Sequence, residues 1–208
     1  MVLSPEAILV LILSIFLFLV LSVTLTLVIV SKRSPTDPVL IVAASLVVLA
    51  LLVVAVSPLK VPIVVGMVLA MLGTAVAALG GDPITRRILA FATHGNVRDG
   101  ESGGILLRAP SPAADAVDAV DPAIGASSGD VREVMRGGTT IGYLERIAVV
   151  VAIIAGFPEA LAVVVAVKGV GRFSELVAPE SRERFIIGTM SSLLWACLVG
   201  ALVRLSIW

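Results

Sequence analysis

A chain of 208 residues with 59% hydrophobic and 14% charged side chains and a mean hydropathy of +1.13 is too apolar for a water-soluble globule. Spans of roughly 20 residues each use most of its length, which leaves no room for a large soluble catalytic domain. Fifteen Lys and Arg balance fifteen Asp and Glu, which argues against a nucleic-acid binder or a strongly basic peripheral protein.

The first apolar run covers residues 5–30 and ends at the breaker-rich 31–38. Its leader holds Glu6 and no base, and no Ala-x-Ala site follows, so a retained helix is expected rather than a secretory signal. A second helix is expected over 39–56 and a third over 63–79, with the turn at 57–62 between them and a stop at Gly80 and Gly81. Residues 1–80 therefore read as a three-helix transmembrane unit.

Residues 81–140 read as an insert. Asp82 followed by Pro83 resembles an N-cap with proline at the first helical position, and Ile84, Ile88 and Phe91 recur at helical spacing, which predicts a short interfacial helix. Residues 110–129 are Ala, Pro, Asp and Ser with almost nothing to bury, which predicts disorder. Asp130 and Glu133 have capping-box spacing and predict a short helix ended by Gly137 and Gly138. Residues 141–208 form a second three-helix unit, with apolar runs at 141–156 and 160–171 joined through Phe157, Pro158 and Glu159, and a last one at 185–207. The fold class expected is thus an all-α polytopic bundle of six transmembrane helices, three plus three.

Alternating the loops places ten bases on one side, namely Lys32, Arg33, Arg86, Arg87, Arg98, Arg108, Arg132, Arg136, Arg182 and Arg184, against Lys60 and Arg204 on the other. Positive charge near span ends stays in the cytoplasm, so the insert is expected inside and both termini outside. Arg outnumbers Lys twelve to three, Ala and Val are abundant, and Asn96 is the sole amide side chain, a composition typical of a GC-rich bacterial genome and hence of a bacterial inner membrane.

Membrane helices associate through close packing of small residues, so these mark faces. The third helix carries Gly66, Ala70, Gly73, Ala77 and Gly80; the last carries Gly188, Ser192, Ala196 and Gly200; the fourth carries Ala148, Ala152 and Gly156. Bundle packing within the chain is the expected use, with a partner protein or a second copy as the other. The first helix, of Leu, Ile, Val and Phe, is expected at the lipid-facing edge.

One charge cluster could form a site. Glu145 and Arg146 on one arm of the hairpin, and Lys168 and Arg172 on the other, reach similar depths about 18 Å from the turn. Charges below the headgroups need partners. Glu145 and Arg146 diverge by about 100° around their helix. Glu145 is therefore expected to pair with Lys168 or Arg172, while Arg146 snorkels toward lipid phosphates. Ile141, Gly142, Leu144, Glu145 and Arg146, then Lys168 with Arg172 and Phe173, then Glu183 with Phe185 to Thr189, resemble the C-terminal part of an actinobacterial family of integral membrane proteins of unknown function, over about residues 137–200. The resemblance brings no activity and points only to Glu145, Arg146, Lys168 and Arg172.

Other chemistry is not suggested. His94 is the only histidine, the lone Cys197 sits in an apolar run, and Asp115, Asp118 and Asp121 lack the glycine and glutamate of a calcium loop, so no metal, cofactor or catalytic triad is expected. The chain reads as a non-catalytic membrane subunit or scaffold that contacts lipids and a membrane-protein partner or itself. The alternative is a transporter or lipid-handling protein that binds anionic headgroups or solutes at the charge cluster. A lipid enzyme ranks third, because only carboxylates remain for acid–base work.

Overall fold

In a computed structural model of the chain, the residues described are 4–33, 37–92, 105–108, 131–134, 138–171, 173 and 179–208. They form α1 (Pro5–Arg33), α2 (Asp37–Val56), α3 (Ile63–Ala92), β1 (Ile105–Arg108), β2 (Val131–Val134), α4 (Gly138–Ala155), α5 (Ala160–Gly171) and α6 (Pro179–Ile207). Five helices, α1, α2, α3, α4 and the stretch of α6 from Arg182 to Ile207, are long and apolar enough to cross a membrane. α5, the sixth span expected, is not: its 12 residues extend about 18 Å, well short of the roughly 30 Å hydrocarbon core. Yet Lys168 near its end meets Glu145 near the start of α4, so α5 returns the chain toward the end of the bundle from which α4 starts.

Local chemistry sets the helix ends. Ser4 Oγ accepts the Ala7 N–H at 3.3 Å, with Pro5 at the first helical position, and Lys32 and Arg33 occupy the last turn of α1, where cations oppose the helix dipole. α4 ends in a Schellman turn: Gly156 has φ 85°, Phe157 N–H donates to Ala152 C=O at 2.9 Å, and Gly156 N–H donates to Ile153 C=O at 3.1 Å. Gly156 thus belongs to a helix cap, and Ala148 is exposed, so the small residues expected as a packing stripe on this helix serve other ends.

The third helix does not stop at Gly80 and Gly81. α3 runs on to Ala92 through Pro83, so the separate interfacial helix expected after Asp82 is a continuation of α3. Both glycines are buried because neighbouring side chains lie against them. A Cβ on Gly80 would fall 2.7 Å from Trp195 Nε1, and one on Gly81 would fall on the Arg146 side chain. Trp195, 3% exposed, crosses at Gly80 and donates its indole N–H to Val76 C=O at 3.2 Å. The glycines are places of close approach, and burial against α4 and α6 holds the helix through them.

The short helix expected after Asp130 is likewise absent. Val131–Val134 is a strand, antiparallel to Ile105–Arg108 in the register Ile105 to Val134 through Arg108 to Val131. The capping spacing had too few following residues to repay helix nucleation, and β-branched Val131 and Val134 suit a ladder. The disorder expected over 110–129, along with His94, Asp115, Asp118 and Asp121, lies outside the described residues.

α3 and α6 form the most extensive helix contact and cross-link the two halves of the chain. Gly66 lies against Ile207, Gly73 against Val203, and Gly80 against Trp195, a descending order that makes the pair antiparallel. Ala77 is fully buried and Ala70 half-buried on the same helix. α4 runs parallel to α6, with Ile153 seated on Gly200 and Ser192 beside Arg146. Ala196 is fully buried, and Gly188 faces Thr85 and Leu89 of α3. α1 packs on α2 and α3 through Leu13, Leu17, Val20 and Leu21, and its opposite face, including Leu9, Ile12 and Leu19, is exposed. The 57–62 turn is fixed to the end of α6 by the Val61 N–H to Ser206 C=O bond, 2.9 Å.

Gly73→Leu should drive its side chain into Val203, whose Cγ2 would lie 2.7 Å from even a Cβ there, while Val68, 47% exposed, has room for the matched Val68→Leu. Melting in detergent should show a loss of about 2 kcal/mol or more for the first and little change for the second. Equal tolerance would mean that α3 and α6 do not meet along these glycines.

Candidate functional site

The buried charges gather where α3, α4, α5 and α6 meet. α4 is packed on two sides, by α3 and α6 and by α5, so the adjacent Glu145 and Arg146 are both buried although they diverge around the helix. Glu145, 7% exposed, receives Lys168 of α5, with Nζ to Oε2 at 2.5 Å. Lys168 also stands 5.8 Å from the centre of the Phe185 ring. Of the two bases expected opposite Glu145, Lys168 is thus engaged; Arg172 lies outside the described residues.

Arg146 does not snorkel. It is 2% exposed and points into the bundle, where Nη2 donates to Asp82 Oδ1 at 2.7 Å and Nη1 donates to Ser192 Oγ at 3.1 Å. Its Cζ lies 5.1 Å from the centre of the Tyr143 ring, within cation–π range. The inward turn has a steric cause and an electrostatic one. Gly81 and Gly142 leave the volume that the guanidinium fills, and a Cβ on Gly142 would already stand 3.4 Å from Nη1. Asp82 supplies the countercharge that a guanidinium away from water requires. From Ser192 to the end of α6 is about 22 Å of helix, which sets the pair inside the apolar length of the bundle.

Two polar atoms of this cluster, Glu145 Oε1 and Arg146 Nε, have no hydrogen-bond partner among the described residues, and neither has the nearby Thr85 Oγ1. The bases at the opposite end of the bundle are spent on helix ends. Lys60 Nζ donates to Leu205 C=O at 2.9 Å and Arg204 Nη1 donates to Ile154 C=O at 2.7 Å, each opposing a C-terminal dipole. Among the described residues no three His, Cys, Asp or Glu side chains converge as a metal site would need.

Sequence reasoning missed Asp82, which looked like a cap for a new helix. The signal lay in its position: an acid beside two glycines at the end of a small-residue stripe is placed to meet a base from a closely approaching helix. Comparison of the chain with protein-family models, with curated proteins and with solved structures finds no match.

Arg146→Gln strands Asp82 and empties a tightly enclosed volume, whereas Glu145→Gln leaves Lys168, with a 17% exposed side chain, a shorter path to solvent or headgroups. Arg146→Gln should therefore be the more destabilising, on the order of 3 kcal/mol. Detergent melting of both single variants checks the order. Adding Lys168→Met to Glu145→Gln should cost less than the sum of the two single losses, and full additivity would remove that pair.

Proposed function

We propose that the chain is a non-catalytic integral membrane subunit or scaffold, sited in a bacterial inner membrane, with its termini extracytoplasmic and the 81–140 insert cytoplasmic. The observation that carries this reading is how the ionisable side chains within the bundle are used. Arg146 joins α4 to α3 and α6, Glu145 joins α4 to α5, and Lys60 and Arg204 tie down helix ends. Groups committed to holding helices together are poorly placed for acid–base or transport chemistry, which calls for side chains that are free to change partners. The alternative, transport or lipid handling at Glu145, Arg146, Lys168 and Arg172, draws less support, since the first three already bridge helices.

A subunit needs a surface, and α5 offers one. None of its residues is buried, and Val163, Val167 and Val170 are exposed along it. A membrane-protein partner or a second copy fits this reading, together with bilayer lipid over the remaining apolar surface. Purification of the tagged full chain from its native membrane, followed by in-membrane cross-linking and mass spectrometry, should recover a membrane protein or a homo-oligomer in fixed ratio. A chain that is monomeric in those membranes and accumulates a solute in vesicles would overturn it. For orientation, a reporter active only outside the cytoplasm should be active when fused after Trp208 and silent when inserted near Ser127. The reverse pattern would invert the topology.

A further inference from the structure

Two cations meet Tyr143. The buried Arg146 guanidinium lies 5.1 Å from the ring centre, and Lys32, from the last turn of α1, stands at the hydroxyl end of the ring, with Nζ 2.7 Å from the tyrosine oxygen and 5.0 Å from the ring centre. The charge of Arg146 is answered by Asp82. Among the described residues, no carboxylate answers Lys32, which is exposed.

The hydrogen-bond inventory fixes what is missing. An ammonium can only donate, so in this contact the Tyr143 oxygen is the acceptor and its own proton points elsewhere. Two further N–H donors remain on Lys32. The phenolic O–H and the ammonium thus form a cluster of donors in mutual contact that has no acceptor among the described residues. The place matters as much as the donors. The end of α1 stands with Asp37 of α2 and Arg87 of α3, which form an ion pair, at the end of the apolar span where headgroups lie.

We propose that Lys32 and Tyr143 bind a phosphate ester, with the ammonium and the phenolic hydroxyl donating to its oxygens. The depth of the pair makes the phosphate of an anionic phospholipid the expected source. This lies beyond the scaffold reading and does not depend on it. It also moves the headgroup contact from Arg146, where the sequence suggested it, to Lys32 and Tyr143.

Full-length protein in detergent, stripped of lipid, can be titrated with short-chain phosphatidylglycerol, short-chain phosphatidylcholine and soluble glycerol phosphate, with bound ligand counted by native mass spectrometry. Phosphatidylglycerol should bind more tightly than phosphatidylcholine, whose own cation opposes Lys32. Tyr143→Phe keeps the ring against Arg146 and removes only the hydroxyl. It should weaken phosphatidylglycerol binding about fivefold, as should Lys32→Met, the scale of one headgroup contact. Lys60→Gln, at the other end of the bundle, should leave it unchanged. Tighter binding of phosphatidylglycerol than of glycerol phosphate assigns the phosphate to the bilayer. Equal binding of the two, still dependent on Tyr143, keeps the site and assigns it to a solute. Unchanged affinity in Tyr143→Phe overturns the proposal whatever Lys32→Met does, because attraction to a lone exposed lysine would not need the tyrosine hydroxyl. Melting of the ligand-free variants separates weakened binding from lost folding.

Discussion

A guanidinium enclosed among apolar helices has to be neutralised and hydrogen-bonded where it lies, and the packing around Arg146 follows from that demand. Its two terminal nitrogens reach different helices, Asp82 on α3 and Ser192 on α6, while its backbone belongs to α4. One side chain thereby acts as a strut that fixes three helices at one level. The helices must also come close enough for these short bonds, which is why Gly81 and Gly142 stand against the guanidinium and Gly80 admits Trp195 next to it.

The rest of the bundle extends from this level. Below the strut, α3 continues through Pro83 with Thr85 and Leu89 against Gly188. Above it, α3 and α6 interlock at Gly73 and Gly66 until the 57–62 turn meets the last turn of α6. On the far side of α4, Glu145 takes hold of α5 through Lys168, and α5 contributes no buried residue of its own. Charge pairs and small residues divide the work. Hydrophobic burial cannot by itself draw helices together in lipid, so close contact at glycines and polar links between helices carry the specificity.

Much of this was legible in the residue order. Apolar run length located the helices, and the spacing of Gly66, Gly73, Ala77 and Gly80 marked the face of α3 that packs. The depth match between the hairpin arms is enough to bring Glu145 and Lys168 together from the residue order alone. What was not legible came from reading local signals without their tertiary neighbours. Gly80 and Gly81 resemble a helix stop until Trp195 and Arg146, over a hundred and some sixty residues away in sequence respectively, are seen to fill the space beside them. Asp82 resembles an N-cap until its partner is known. Arg146 was expected to face lipid because a helix with one neighbour has one inner face, whereas α4 has neighbours on two sides.

Coupling between Gly81 and Arg146 tests the strut most directly. A methyl group at Gly81 would sit 2.5 Å from Arg146 Nη1, and the guanidinium has little freedom to yield while Asp82 and Ser192 hold it. Equilibrium unfolding of Gly81→Ala, Arg146→Met and the double variant, in one detergent, measures the interaction between the two positions. A clear loss for Gly81→Ala in the parent chain, with little or no further loss in the Arg146→Met background, is the expected result. Equal losses from Gly81→Ala in both backgrounds would place the guanidinium elsewhere and contradict the strut.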